Sequence, residues 1–245
     1  TQAAMDVDQW MRAFTIISLF GVTDTYTQGN NHNNIFYVRP SDQRMLAFPW
    51  DLDFAWVRST NSPLYGDQNL ARVIALPQNL RLYYGHLLDI IGTTFNSTYL
   101  TPWANHYAEL AEENYSSLLS YINQRRSYVL SAIPAKVAFA IATNGGADFS
   151  VAQTTTTLDG NGWYDVRFIQ RGGREEPLSV TWTSATKWRA AVDLDFGENS
   201  IFLVAMDRYG NALGSDSVKV TSTAGAAAPR VSSVTPEIAR SGELV

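Results

Sequence analysis

The chain has 245 residues, 45% of them hydrophobic and 17% charged, a balance that excludes a disordered segment and leaves apolar surface for more than one core. A net charge of -5 with no Lys/Arg run excludes a protein built to hold a phosphate backbone, so nucleic acid is not an expected partner. Without cysteine there is no disulfide, thiolate metal site or cysteine nucleophile to consider.

Thr1 reads as lying in the middle of a domain, so any signal peptide would lie upstream of it. The first periodic segment carries Trp10, Phe14, Ile17 and Phe20 on one face, with Asp8 as its cap and Gly21 as its stop. Its apolar stretch, 13–22, is interrupted by Thr15 and Ser18 and is too short to cross a bilayer; a buried helix is predicted, and no membrane span. After a polar loop from Asp24 to Asn34, two apolar runs over 35–38 and 45–48 flank Pro40-Ser41-Asp42 and predict a hairpin. Helices are predicted over 68–76, 78–94, 99–113 and 114–132. Leu80, Tyr83, Tyr84, Leu87, Leu88 and Ile91 recur there at steps of three and four, as core positions do.

Composition changes near Pro134. Beyond it, strands are predicted over 137–141, 163–170, 178–182, 188–194, 200–206 and 215–220, with Tyr164, Val166 and Phe168 alternating against Asp165 and Arg167. Turns are predicted at Gly160-Asn161-Gly162, Gly172-Gly173 and Gly210-Asn211. Short, regularly spaced strands predict an immunoglobulin-like sandwich, in which Trp163, Trp182 and Trp188 read as core more readily than as sugar-stacking faces. Asp193 and Asp195 read as solvent-facing, and no chemistry is assigned to this part. The Ala-, Ser- and Pro-rich tail reads as a linker. The expected fold class is therefore α+β: a mostly helical lobe over 1–135, an all-β sandwich over 136–223 and a linker over 224–245.

The sequence has no GxxxxGK[ST] loop, HExxH, GxSxG or helix-opening GxGxxG. His32, His86 and His106 are far apart, and the last two lie in helical segments as core or surface residues. One region gathers oxygen-bearing side chains from separate segments: Asp24, the run Asn31-His32-Asn33-Asn34, and Asp51 and Asp53 in Pro49-Trp50-Asp51-Leu52-Asp53. Hard cations such as Mg²⁺ take such donors. Phosphoryl transfer uses the same parts, an Asp to accept a hydroxyl proton and an Asn and an Asp to hold metal. On the residues alone a second reading stands beside this one: an Asx-turn at Asp24, loop-solvating asparagines, and capping roles for Asp51 and Asp53. Carboxylates held close raise each other's pKa unless a cation compensates, so the metal reading requires the three segments to converge.

Asp24-Thr25-Tyr26, then Asn31-His32-Asn33, the strand with Phe36-Tyr37, and Phe48-Pro49-Trp50-Asp51-Leu52-Asp53 resemble the central motif of the spore-coat protein H (CotH) kinase family. The likeness extends through Leu80-Arg81-Leu82-Tyr83-Tyr84 and Arg125-Arg126 and covers residues 1 to about 132. It implies an atypical protein-kinase fold, with Asp24 as the catalytic-loop Asp, Asn33 as the metal-binding Asn and Asp51 as the Asp that opens the kinase DFG motif. Asp53 is implied as a further metal residue or one that orients Asp51. ATP and Mg²⁺ or Mn²⁺ are the implied cofactors, and the Ser/Thr hydroxyls of a protein substrate the implied acceptors. A secreted or surface-exposed location in a bacterium is implied as well. The N-lobe strands and the nucleotide-gripping lysine of a kinase are not in this chain, so the piece alone is expected to be inactive. Asp24 and Asn33 lie farther apart than the four residues that separate the kinase pair, and the register of Asn33 against Asn31 and Asn34 stays open. Two other functions compete. One is a non-catalytic cell-surface scaffold whose sandwich serves adhesion or glycan contact; the other is a metal-dependent hydrolase with water as acceptor.

Overall fold

The computed structural model describes residues 3–26, 30, 32–66 and 69–225. Gly29 and Asn31, and the predicted linker beyond Gly225, lie outside the described residues. Helix α1 (Val7–Phe20) starts where the Asp6 carboxylate accepts the Gln9 amide at 3.3 Å and stops at Gly21, whose φ of 60° a side chain would resist. The expected cap, Asp8, lies instead in the first turn, because the Asp6 carbonyl already accepts Trp10 N–H and closes that turn. Strands β1 (Asn34–Val38) and β2 (Met45–Pro49) form the predicted hairpin, with Asn34 opposite Pro49 and Val38 opposite Met45. The hairpin is fastened to α1 by polar side chains. Trp10 Nε1 donates to the Met45 carbonyl at 2.8 Å, and Gln9 exchanges two hydrogen bonds with the Ala47 backbone.

Helices α2 (Asn69–Ile74), α3 (Pro77–Thr93), α4 (Ser97–Ala111) and α5 (Ser116–Ala132) lie close to their predicted places. The inner face of α3, with Tyr83, Leu87, Ile90 and Ile91, buries itself against Met11, Phe14 and Ile17 of α1.

The sandwich comprises β3 (Ala140–Ile141), β4 (Phe149–Val151), β5 (Thr155–Asn161), β6 (Phe168–Arg171), β7 (Thr181–Trp182), β8 (Lys187–Asp193), β9 (Gly197–Met206) and β10 (Ala212–Ser222). One sheet runs β4-β10-β9-β6 and the other β3-β5-β8-β7. All pairings are antiparallel except that of β4 with β10. In β8, Trp188, Ala190 and Val192 point inward while Lys187, Arg189 and Ala191 face out. Trp188 is fully buried, which contributes roughly 3 kcal/mol.

Periodicity misplaces three pieces of this unit. Strands β4 and β5 were not expected: the run Thr154 to Thr157 lacks apolar alternation, and the strand's inward positions are filled by Leu158 and by Gly160, over which the Trp188 ring lies. The predicted turn at Gly160-Asn161-Gly162 is in part the end of β5, where Gly160 pairs with both Trp188 and Ile141. The stretch 163–167, expected as strand, is a connection between two cores. Tyr164 is buried in the helical lobe and Val166 in the sandwich, so their alternation records two destinations and not one pleated face.

Lobe and sandwich meet along the outer face of α3. Arg81, only 3% exposed, donates through Nη1 to the carbonyls of Gly162 and Ala185, both at 3.0 Å, and through Nη2 to those of Trp163, at 2.6 Å, and Val166. Its guanidinium lies 3.1 Å from the centre of the Trp182 ring. Burial pushes the Arg81 pKa down to about 9, still above neutral pH, so the cation is retained with carbonyl dipoles and an indole face as compensation. One turn on, a Cβ at Gly85 would lie 2.7 Å from the Tyr164 carbonyl, so a residue that weakens a helix by about 1 kcal/mol is what lets the backbones approach.

A second row of contacts is ionic. Asp8 accepts from Arg167 at 2.9 Å and faces His86 Nε2 at 2.9 Å. Asp89 accepts from Arg12 at 2.6 Å, Arg208 at 3.1 Å and the Tyr209 hydroxyl at 2.7 Å. His86 Nδ1 faces the guanidinium groups of Arg208, at 3.1 Å, and Arg12, at 3.4 Å. Because guanidinium only donates, Nδ1 is the acceptor and Nε2 carries the proton toward Asp8. His86 is thus a seam residue and His106 a surface one.

Candidate functional site

Three segments carry the candidate residues, and backbone hydrogen bonds bring them to one end of the hairpin. Past Gly21, Thr23 N–H donates to the Phe54 carbonyl at 3.4 Å, while Trp56 N–H and Arg58 N–H donate back to Phe20 and Gly21 at 2.6 and 3.0 Å. The stretch leading to Asp24 is therefore stitched to the stretch that follows Asp51 and Asp53. On the other side, Trp50 N–H donates to the Asn33 carbonyl at 3.3 Å, extending the hairpin ladder one step beyond the Asn34–Pro49 pair.

Asp24 is the hub of the side chains. Asn33 Nδ2 donates to the Asp24 carbonyl at 2.8 Å and to its Oδ2 at 3.2 Å. His32 Nε2 lies 2.8 Å from Asp24 Oδ1, and Asn30 Nδ2 lies 3.4 Å from the same oxygen. With its nitrogen committed to Asp24, the Asn33 amide keeps its oxygen as an acceptor. Asp51 and Asp53 are exposed. Asn33, Asp51 and Trp56 take positive φ values of 59°, 52° and 67°; Asn and Asp tolerate this, but for Trp it is strained backbone of the kind that collects at functional sites.

Of the expected set, the structure places Asn33 against Asp24 and holds the backbone of Asp51 and Asp53 at the same end of the hairpin. Asn34 takes no part in this contact: among the described residues both of its amide atoms, like the Thr25 hydroxyl, are buried without a partner. Also among the described residues, no three histidine or carboxylate side chains close on a single point. Asp24, Asn33, Asp51 and Asp53 are oxygen donors of the kind that hard cations such as Mg²⁺ and Mn²⁺ take, and they are the residues that would hold such an ion at this end of the hairpin.

Sequence reasoning missed how the site is braced. Arg125 of α5, 1% exposed, donates to the Ser18 carbonyl at 3.2 and 3.1 Å, to Ser18 Oγ at 3.1 Å, and to the carbonyls of Thr60 and Ser62 at 3.0 and 2.5 Å. It ties the end of α1, which leads to Asp24, to the loop that follows Asp53. The one sequence signal was its place in the family-like Arg125-Arg126 pair. The link between His32 and Asp24 was likewise not anticipated from the sequence.

No family model matches the chain, and no curated protein matches it. Among solved structures it is similar to the Clostridium thermocellum CbhA fibronectin(III)-like modules, at 15% identity over 35% of this chain and 95% of that one, with a TM-score of 0.26. It is also similar to an engineered protein, at 17% identity over 41% of this chain and 27% of that one, with a TM-score of 0.27. At these scores neither likeness bears on fold or function. No helix among the described residues is long and apolar enough to cross a membrane.

Proposed function

We propose that residues 1–135 are the metal-binding, catalytic half of a CotH-type atypical protein kinase, fixed to an immunoglobulin-like sandwich. The reaction is transfer of the ATP γ-phosphoryl group to Ser/Thr hydroxyls of a protein, with Mg²⁺ or Mn²⁺, outside a bacterial cell. The observation that carries this reading is the Asp24–Asn33 contact at the point where the 51–53 segment joins. Asp24 accepts the proton of the attacking hydroxyl. The Asn33 amide oxygen and the Asp51 carboxylate would hold the metal, with Asp53 as a further ligand or as the group that orients Asp51. When bound, the divalent ion neutralises charge on the phosphates. His32 orients Asp24 through Oδ1. Residues 1–135 contain no lysine, so a phosphate-gripping lysine is not supplied by this lobe and the lobe by itself binds metal without turning over.

The test is Mn²⁺ titration of the chain, read by electron paramagnetic resonance with and without ATP. ATP should tighten Mn²⁺ binding, and Asn33→Ala and Asp51→Asn should each weaken it by roughly tenfold or more. Because Asp51 is exposed and Asn tolerates its φ of 52°, Asp51→Asn should leave thermal melting unchanged. Equal Mn²⁺ affinity in wild type and both variants would remove the reading.

A further inference from the structure

Between the outer face of α3 and the edge strand β7, lobe and sandwich leave a cleft of about 700 Å³, the size of a small-molecule site. Its charges cancel: Arg81, Arg167 and Arg208 stand against Asp89, Asp165 and Asp207. A phosphate or a polyamine would meet as much repulsion as attraction there. The charged groups are also held in place. The Asp89 side chain is 8% exposed and takes three donors. Asp207 accepts the backbone N–H groups of Tyr209 and Asn211 at 2.7 and 2.8 Å, and Asp165 pairs with Lys136 at 3.2 Å. The wall therefore offers fixed donors and acceptors without a net field, along with the neutral groups of Gln78, Thr93 and Thr181.

The aromatic residues complete the pattern. Trp188 is buried in the sandwich and one face of Trp182 is taken by Arg81, so neither is a free platform. Tyr209 is different: it is 61% exposed, yet its hydroxyl is pinned to Asp89, which fixes an open ring at the edge of the cleft. Sugar hydroxyls both donate and accept, and the C–H face of a pyranose packs on an aromatic ring.

We propose that this cleft binds a neutral oligosaccharide of two or three sugar residues, with Tyr209 as the stacking platform and Gln78, Asp165, Thr181 and Arg208 as hydrogen-bonding partners. The site is independent of the Asp24 centre. The experiment is calorimetric titration of the whole chain with maltotriose, cellotriose, xylotriose, mannotriose and triacetylchitotriose, paired with intrinsic tryptophan fluorescence. At least one trisaccharide should bind with a Kd at or below about 1 mM. Tyr209→Ala should weaken that binding by roughly tenfold, and Tyr209→Phe, which keeps the stacking face but loses the pin to Asp89, should weaken it by less, with circular dichroism showing both variants folded at the titration temperature. The proposal is overturned if all five sugars fail to bind at about 10 mM, if Tyr209→Ala binds as wild type does, or if an uncharged Val/Thr peptide binds and the sugars do not.

Discussion

Replacing Arg81 by Met keeps much of the side chain's length and removes the group that joins the two units. Four carbonyls, those of Gly162, Trp163, Val166 and Ala185, then lose their donor, and the indole of Trp182 loses its cation. Hydrogen bonds to a charged donor contribute about 1.5–3 kcal/mol each, but these do not add, because burying the guanidinium is itself unfavourable, as its lowered pKa of about 9 records. Breaking a buried charged contact from one side leaves a net loss of about 3–5 kcal/mol, a large share of the 5–15 kcal/mol typical of a folded domain. With a urea dependence of about 3 kcal/mol per molar, the unfolding midpoint should fall by about 1 M or more. Tryptophan fluorescence reports the change directly, since Trp163 and Trp182 lie at the seam. Arg81→Lys should recover less than half of the loss, because an ammonium cannot present a planar fork to four carbonyls. A midpoint shift below about 0.3 M in Arg81→Met, equivalent to about 1 kcal/mol, would refute the claim that this side chain fixes the sandwich to the lobe.

Two further predictions concern the same framework. Burial pushes the Asp8 carboxyl up, but the His86 hydrogen bond and the Arg167 charge outweigh it and hold the pKa at about 2, below its ordinary 3.8. The stabilisation is therefore present above pH 3.8 and is lost as pH falls through about 2. Asp8→Asn should lower the melting point by an equal small amount at pH 7 and pH 5, corresponding to about 1 kcal/mol or less for a part-exposed carboxylate; a difference from wild type that persists unchanged at pH 2 would contradict the pairing. Arg125→Met should destabilise the lobe by about 3–5 kcal/mol and, in hydrogen exchange, speed the loss of the Trp56 and Arg58 amide protons that bond to Phe20 and Gly21. Wild-type exchange at those two amides would show that Arg125 does not hold the loop after Asp53.

The elements of the lobe were legible because each has its own local signal. Phe14 and Ile17 sit at helical spacing ahead of a glycine that can take positive φ, and the hairpin has alternating runs about a Pro-Ser-Asp turn. The sandwich was half legible. Strand β8 shows clean alternation around Trp188, whereas β5 carries three threonines and a glycine where apolar residues were sought, since only Leu158 supplies an inward apolar side chain and the space over Gly160 is filled by Trp188 of the neighbouring strand. At the candidate site, residue types could be read and contacts could not. Nothing local distinguishes Asn33, turned to Asp24, from Asn34, whose amide is buried without a partner. That choice rests on a ladder bond between Trp50 and Asn33, which no local pattern encodes. The seam was invisible for the same reason: Arg81 looks like any helical arginine until carbonyls some 80 residues away converge on it.

The two faces of α3 link these observations. Its inner face, with Tyr83 and Leu87, packs on α1, while Arg81, His86 and Asp89 on its outer side hold the sandwich. The sandwich also reaches α1 directly, since Arg167 grips Asp8 in its first turn. At 1.5 Å per residue, the 14 residues of α1 carry that anchor about 21 Å to Gly21, where the chain turns toward Asp24. Arg125 fixes the far end and the sandwich fixes the near one, so a single rigid helix is clamped at both termini. A module attached only by a linker could not do this. Loss of the Arg81 contacts should therefore reach the Asp24 end through α1, whereas loss of Arg125 should loosen that end while leaving the seam intact.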